Sequence, residues 1–146
     1  MSKSNAAETA FLALIFNNTD FAGIGDAGGL QNSAAAGSLY VSLHTGDPGE
    51  AGDQTTSESA YTSYARVAVA RSGAGWTVSG NSATNAALTQ FPECTGGSET
   101  ITHVGIGTDV SGAGVLLYSG ALSASRSVSS GIQPQFAASA LTVTED

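Results

Sequence analysis

Charged side chains are scarce in this chain. They make up 11% of its 146 residues, and only Lys3, Arg66, Arg71 and Arg126 are basic. Binding to nucleic acid rests on basic groups that neutralise phosphates, and four scattered cations against twelve carboxylates cannot build that footprint. The same balance argues against an anionic membrane surface. Cysteine occurs once, as Cys94, which excludes an intrachain disulfide and a thiolate zinc site and leaves a small packing residue as the expected role. No long apolar run is present: the longest, Phe11 to Phe16, is far too short to cross a bilayer. The opening Met1-Ser2-Lys3-Ser4 leads into a mixed segment with no cleavage-like end, so synthesis and folding in a cytoplasm are expected. Collagen triplets, heptads and short fixed-period repeats are also missing, which excludes the usual ways of building an elongated shaft.

What fills the space is hydroxyl and glycine. Apolar residues reach 41%, enough for one globular domain with a core and too many for a disordered chain. Ser and Thr supply roughly a quarter of the residues and glycine another nineteen. Thr favours strands, while Ser and Gly favour turns. A surface of short hydroxyl side chains also loses little rotamer freedom when packed against a partner. The net charge of −8 favours solubility and repulsion from anionic bodies.

One helix is expected, at the start. Asn5 and Glu8 have the spacing of a capping box, Ala6, Ala7, Ala10 and Ala13 are strong helix formers, and Phe11, Leu14 and Ile15 share a face. Leu12 and Phe16 widen the apolar surface to a second face, and Asn17-Asn18-Thr19-Asp20 ends the helix. Residues 23–37 read as a Gly/Ala/Asn/Ser loop. From Ser38 the period becomes two. Strands are expected at 39–43, 64–71, 76–78, 83–91, 100–107, 115–120 and 126–129, with one or two more between 133 and 144. His44-Thr45-Gly46-Asp47-Pro48-Gly49 is a dense turn signal, and residues 50–59 read as an exposed acidic loop. About eight short strands separated by turns point to a mainly β chain, a jelly-roll-like antiparallel β-sandwich with one N-terminal helix. The expected division is a helix-and-loop arm over 1–37 and a sandwich domain over 38–146.

No catalytic constellation assembles. Gly23-Ile24-Gly25-Asp26-Ala27-Gly28 has the glycine spacing of a dinucleotide loop, but it follows a helix and precedes a strand, the inverse of the required context. His44 and His103 could each be paired on paper with a serine and with Asp47 or Asp109, yet no strained Gly-x-Ser-x-Gly elbow occurs. Histidines hydrogen-bonded near a sheet edge are the simpler expectation. Asp47, Glu50, Asp53 and Glu58 crowd the 47–58 loop, where calcium is conceivable, but their spacing is not that of an EF-hand. Tyr40, Tyr61, Tyr64, Tyr118 and Trp76 could form a sugar platform, or more simply core or interface aromatics. No enzyme activity, cofactor or resident metal is expected.

The string Leu39-Tyr40-Val41-Ser42-Leu43-His44-Thr45-Gly46-Asp47-Pro48-Gly49 precedes Tyr64-Ala65-Arg66-Val67 and Trp76. Asn85, Phe91-Pro92, Thr102-His103-Val104-Gly105-Ile106-Gly107 and Leu116-Leu117-Tyr118-Ser119-Gly120-Ala121-Leu122 follow in order. Over roughly residues 38 to 143 this pattern resembles a family of tailed-bacteriophage structural proteins that carry a tail-fibre-like label. The resemblance implies a non-enzymatic virion protein. For a chain this short and acidic, it implies a capsid decoration, or cement, protein on the outer shell that bridges subunits of the major capsid protein. The alternative it implies is a tail-fibre-associated or receptor- or sugar-binding module. Under the cement reading, Phe11, Leu12, Ile15 and Phe16 form a docking or dimerisation arm, with ordinary packing across the sandwich as the plainer alternative. Arg66, Arg71 and Arg126 would then face acidic patches of the coat, and Tyr40, Tyr64 and Trp76 would anchor an interface. The expected partners are the coat and a second copy, as a dimer before a trimer, with no nucleic acid and no membrane.

Overall fold

The structure is a computed structural model that describes residues 2–145. It holds one helix, α1 (Asn5–Asn17), followed by nine strands: β1 (Ser38–His44), β2 (Val67–Ala70), β3 (Trp76–Ser79), β4 (Ser82–Asn85), β5 (Thr89–Gln90), β6 (Ser98–Gly107), β7 (Leu116–Ser129), β8 (Gln135–Phe136) and β9 (Thr142–Thr144). They form a four-stranded sheet in the order β2-β1-β6-β7, a three-stranded sheet β3-β4-β9 and a two-stranded β5-β8 ladder. The expected class, mainly β with antiparallel sheets and one helix, is the class observed, and it is consistent with a β-sandwich. These strand orders do not establish a jelly roll.

The chain gathers into two compact units. The first comprises Met1–Ser38, Val69–Thr89 and Phe136–Asp146. Here α1 packs on β3 and β4. Its N-cap is Ser4, whose hydroxyl accepts from Ala7 N at 3.4 Å, so the cap falls one residue before the expected Asn5. A hydroxyl on extended backbone can reach the first free amides, whereas Asn5 already has helical geometry. At the other end Asn18 takes the left-handed conformation, and Thr19 N donates to Ala13 O at 3.1 Å, a six-residue closure that satisfies a carbonyl the helix leaves free. Leu12, Phe16, Trp76 and Ala83 are fully buried and Leu141 and Val143 nearly so, and the Phe16 and Trp76 rings meet edge-on at 4.7 Å. Asn85, also fully buried, donates to Ala87 O and Ala137 O at 2.8 Å and accepts from Leu141 N at 2.9 Å. It ends β4, so the strand expected over 83–91 is two short ones.

The second unit comprises Leu39–Ala68 and Gln90–Gln135. Strand β1 is an interior strand paired antiparallel to β6, from Tyr40↔Gly107 to His44↔His103. Val41, Ser42, Leu43 and His44 are all buried, because a strand with neighbours on both edges and side chains covered on both faces has no wet side. Tyr61, Tyr64 and Phe91 form an aromatic group, Tyr61 edge-on to Tyr64 at 5.4 Å and Tyr64 stacked on Phe91 at 6.3 Å. Burial pushes the Tyr61 phenol up to about 12, and its hydroxyl donates to Pro92 O at 2.8 Å. Cys94 is fully buried, as a lone packing thiol should be. Strand β7 is one continuous edge strand where two were expected. Opposite it, Ile101 pairs with Arg126 and His103 with Ala121, so Leu122 to Ser125 bulge out against Thr102 alone.

Candidate functional site

A buried polar cluster organises the second unit. Tyr64, just ahead of β2, presents its hydroxyl to Leu43 N, which donates at 3.0 Å, and donates in turn to Glu58 Oε1 at 3.0 Å. Burial, ahead of the nearby Glu58 charge, pushes this phenol far above its ordinary range. Arg66 grips the same carboxylate with two parallel bonds, Nε to Oε1 at 2.6 Å and Nη2 to Oε2 at 2.7 Å. Such a fork is the strongest form of the ion pair, and the Glu58 bonds raise the guanidinium pKa.

Arg66 also reaches outward. Its Nη1 donates to Asp109 O and its Nη2 to Gly112 O, both at 2.8 Å. Both carbonyls lie in the loop between β6 and β7. Gln54, fully buried, holds the same loop from a second side. Its amide nitrogen donates to Asp109 O at 3.3 Å, its oxygen accepts from Asp109 N at 2.9 Å, and its own backbone N donates to Ala113 O at 2.9 Å. Glycine makes the space: a Cβ at Gly107 or Gly114 would collide with the Gln54 side chain, and Gly114 has a positive φ of 51°. The loop closes on itself through Thr108 N to Val115 O at 3.1 Å and Val115 N to Thr108 Oγ1 at 3.0 Å. Glu99 performs a similar task elsewhere, accepting from Ser59 Oγ, from Ala60 N at 3.2 Å and from Tyr61 N at 3.4 Å.

His44 is fully buried at the end of β1. Its Nδ1 lies 2.9 Å from Thr56 O and its Nε2 2.8 Å from Ser42 Oγ. A carbonyl only accepts, so Nδ1 carries the proton and Nε2 of the neutral ring accepts from the serine hydroxyl. Burial holds this imidazole below its ordinary value, against the opposing pull of Thr56 O and Glu58. The sheet-edge expectation is thus corrected for His44: β1 is an interior strand, and the ring is structural. His103 bonds Thr102 Oγ1 at 2.8 Å and forms part of an open groove of about 620 Å³ between residues 47–52 and residues 116–121 of β7, rimmed by Asp47 and Glu50.

The exposed acidic loop is corrected as well. Gln54 and Ser59 are buried, Glu58 is half-buried and paired with Arg66, and the segment runs back along β1 through Thr45 N to Ser57 O and Ser59 N to Leu43 O, each at 2.8 Å. Among the described residues no three His, Cys, Asp or Glu side chains converge in a way that could hold a metal. Asp53 instead accepts from Thr55 Oγ1 at 2.6 Å and Thr55 N at 2.8 Å, bonds that lower its pKa.

The ten residues singled out for an interface are dispersed. Leu12, Phe16 and Trp76 are buried together in the first unit, where Ile15 is half-buried and Phe11 exposed. Arg71 caps the last turn of α1, its Nη2 donating to Leu14 O and its Nε to Ile15 O, both at 2.7 Å. In the second unit Tyr64 and Arg66 meet at Glu58, Tyr40 is half-buried, and Arg126 is exposed on β7. The residues that sequence reasoning missed are Gln54, Gly107, Gly114 and the loop they hold, and Glu58, read as one of four loop acids, serves instead as the partner of Arg66. One signal was available, since glycine inside an otherwise apolar strand marks a close approach of other atoms.

A protein-family model described as Podophage GP4 fiber I protein gp80 matches residues 2–144. No curated protein matches the chain.

Proposed function

We propose a function from one premise: the chain belongs to the Podophage GP4 fiber I protein gp80 family, which makes it a structural protein of a tailed phage. It acts without catalysis, by adding contacts between other proteins of the particle. The reading is carried by where the polar side chains go. Arg66, Gln54, Glu58, Glu99 and His44 are spent on holding the chain's own loops in place, and none is left paired and accessible as a nucleophile with its base. The place on the particle that we favour is the outer capsid, as a decoration protein bridging subunits of the major capsid protein. Extra interfaces there would stabilise the shell by mass action. The low-charge, hydroxyl-rich surface and the net charge of −8, which suits a site away from DNA, support this placement.

A second reading places the chain in or beside the tail fibres, as a fibre-associated or receptor-binding module, and the fibre description of the family favours it. Copy number separates the two. Hundreds of copies per purified particle, measured by quantitative mass spectrometry, are expected for capsid decoration, whereas a few copies would establish a tail part. Release of cell-wall fragments by the purified protein would overturn the non-catalytic reading.

A further inference from the structure

The loop held by Arg66 and Gln54 is more strongly supported than a simple turn between β6 and β7 requires. Its eight residues, 108–115, accept hydrogen bonds from a buried guanidinium, from the nitrogen of a buried amide and from a buried backbone N–H, and donate one to the oxygen of the same amide. Burying an arginine carries a desolvation cost that its pairing only partly offsets, and this chain has only four cations. The same loop carries the two most exposed large apolar side chains among the described residues, Val110 at 61% and Val115 at 59%. Rigid backbone and exposed aliphatic groups therefore coincide in one short segment. That coincidence is the signature of a preorganised contact, in which the ordering cost is met during folding rather than on binding.

Resting on the structural reading above, we propose that the 108–115 loop is a preformed docking tip. It inserts Val110 and Val115 into an apolar socket with a basic rim on another protein of the phage particle. Charge complementarity selects that occupant over a second copy. The second unit carries seven carboxylates against two arginines, and Asp109 sits beside Val110 at the tip. Lys3 is paired with Glu145 at 2.8 Å, while Arg66 and Arg71 are consumed by bonds within the chain. Among the described residues this leaves Arg126 alone as an exposed cation for a rim, and like net charge opposes self-association.

The test is a competition inside infected cells. Tagged wild-type chain and tagged variants are each expressed during infection by the unmodified phage, and their share in purified particles is measured by mass spectrometry. V110D/V115D is expected to enter particles roughly tenfold less or worse, the scale of losing an interface anchor, while V110I/V115I enters at the wild-type level. D109K is expected to fall as well. Circular dichroism and thermal melts of the purified variants check that the fold is unchanged, as exposed positions predict. Entry of V110D/V115D at the wild-type level would overturn the docking tip. So would a wild-type dimer in solution that V110D/V115D dissociates, because the occupant would then be a second copy. Absence of the tagged wild type from particles would instead refute the structural reading itself.

Discussion

The first unit closes around Trp76, Phe16 and Leu12, whereas the second sets buried Gln54, Arg66 and His44 and half-buried Glu58 beside an apolar core that includes Leu43, Phe91 and Ile101. Both are small and charge-poor at the surface. In the first, apolar side chains fill the interior and polar groups work at the ends of elements: Ser4 and Asn18 on the helix, Arg71 on its last carbonyls and Asn85 at the end of β4. In the second, polar side chains reach from the interior to the loops and fix their shape. An apolar interior resists unfolding without specifying where a surface loop sits. A buried network of hydrogen bonds adds less net stability but determines position. Both units are held by apolar packing, and the second adds a polar network that fixes the position of one of its loops.

Substitutions in each unit test that contrast. Trp76→Ala empties the centre of the first unit and is expected to cost about 3–5 kcal/mol, read from urea denaturation; a loss below about 1 kcal/mol would break the account of that interior. Arg66→Met leaves Glu58 without its cation. Because the Glu58 side chain keeps 17% exposure, the expected cost is about 2–3 kcal/mol, below the value for a fully buried pair. Hydrogen exchange of the 108–115 amides should rise in the same variant, and unchanged protection would mean that the arginine does not hold the loop. Gly107→Ala pushes a methyl into Gln54 and is expected to cost about 1–3 kcal/mol, read from urea denaturation; no measurable loss would mean that Gln54 is not held against this glycine.

His44 supplies a pH test of smaller size. Its folded pKa is depressed by burial below the ordinary 6.5. The unfolded chain therefore binds the proton more readily, and stability is full above 6.5 and lost as pH falls through the folded value. Denaturation midpoints should decline on acidification from neutral pH, and His44→Gln should flatten that decline. A slope identical to the wild type would remove the imidazole from the network. Arg126→Glu, on an exposed stretch of β7, should change stability by less than about 0.5 kcal/mol.

Period-two patterning and turn signals located β1, β3 and β6 to within a residue or two, although only β3 alternates between covered and exposed side chains along its whole length. The patterning failed at β7, where residues 119–127 are exposed on both faces except for a half-buried Leu122; a strand wet on both sides carries no alternation to read. It also failed at 83–91, where the break depends on a buried asparagine bonding residues more than fifty positions away. The site was harder. Glu58 looked like one of four solvated acids until the fold set it beside Arg66 and Tyr64, and no local pattern distinguishes a buried glutamine from an exposed one. The basic residues were rightly conspicuous for their rarity. Arg66 and Arg71 proved to bind carbonyls of their own chain, a use that depends on long-range geometry.

The pairing of β9 with β4, Thr144 opposite Ser82, ties together parts of the chain that lie far apart in sequence. The first unit is assembled from three separated stretches, the last beginning at Phe136. Its closure therefore depends on contacts of high sequence separation, which are slow to form because the loop-closure entropy is lost before the contacts are gained. Loss of residues 141–144 would remove both the strand that pairs with β4 and the Leu141 N–H that Asn85 accepts.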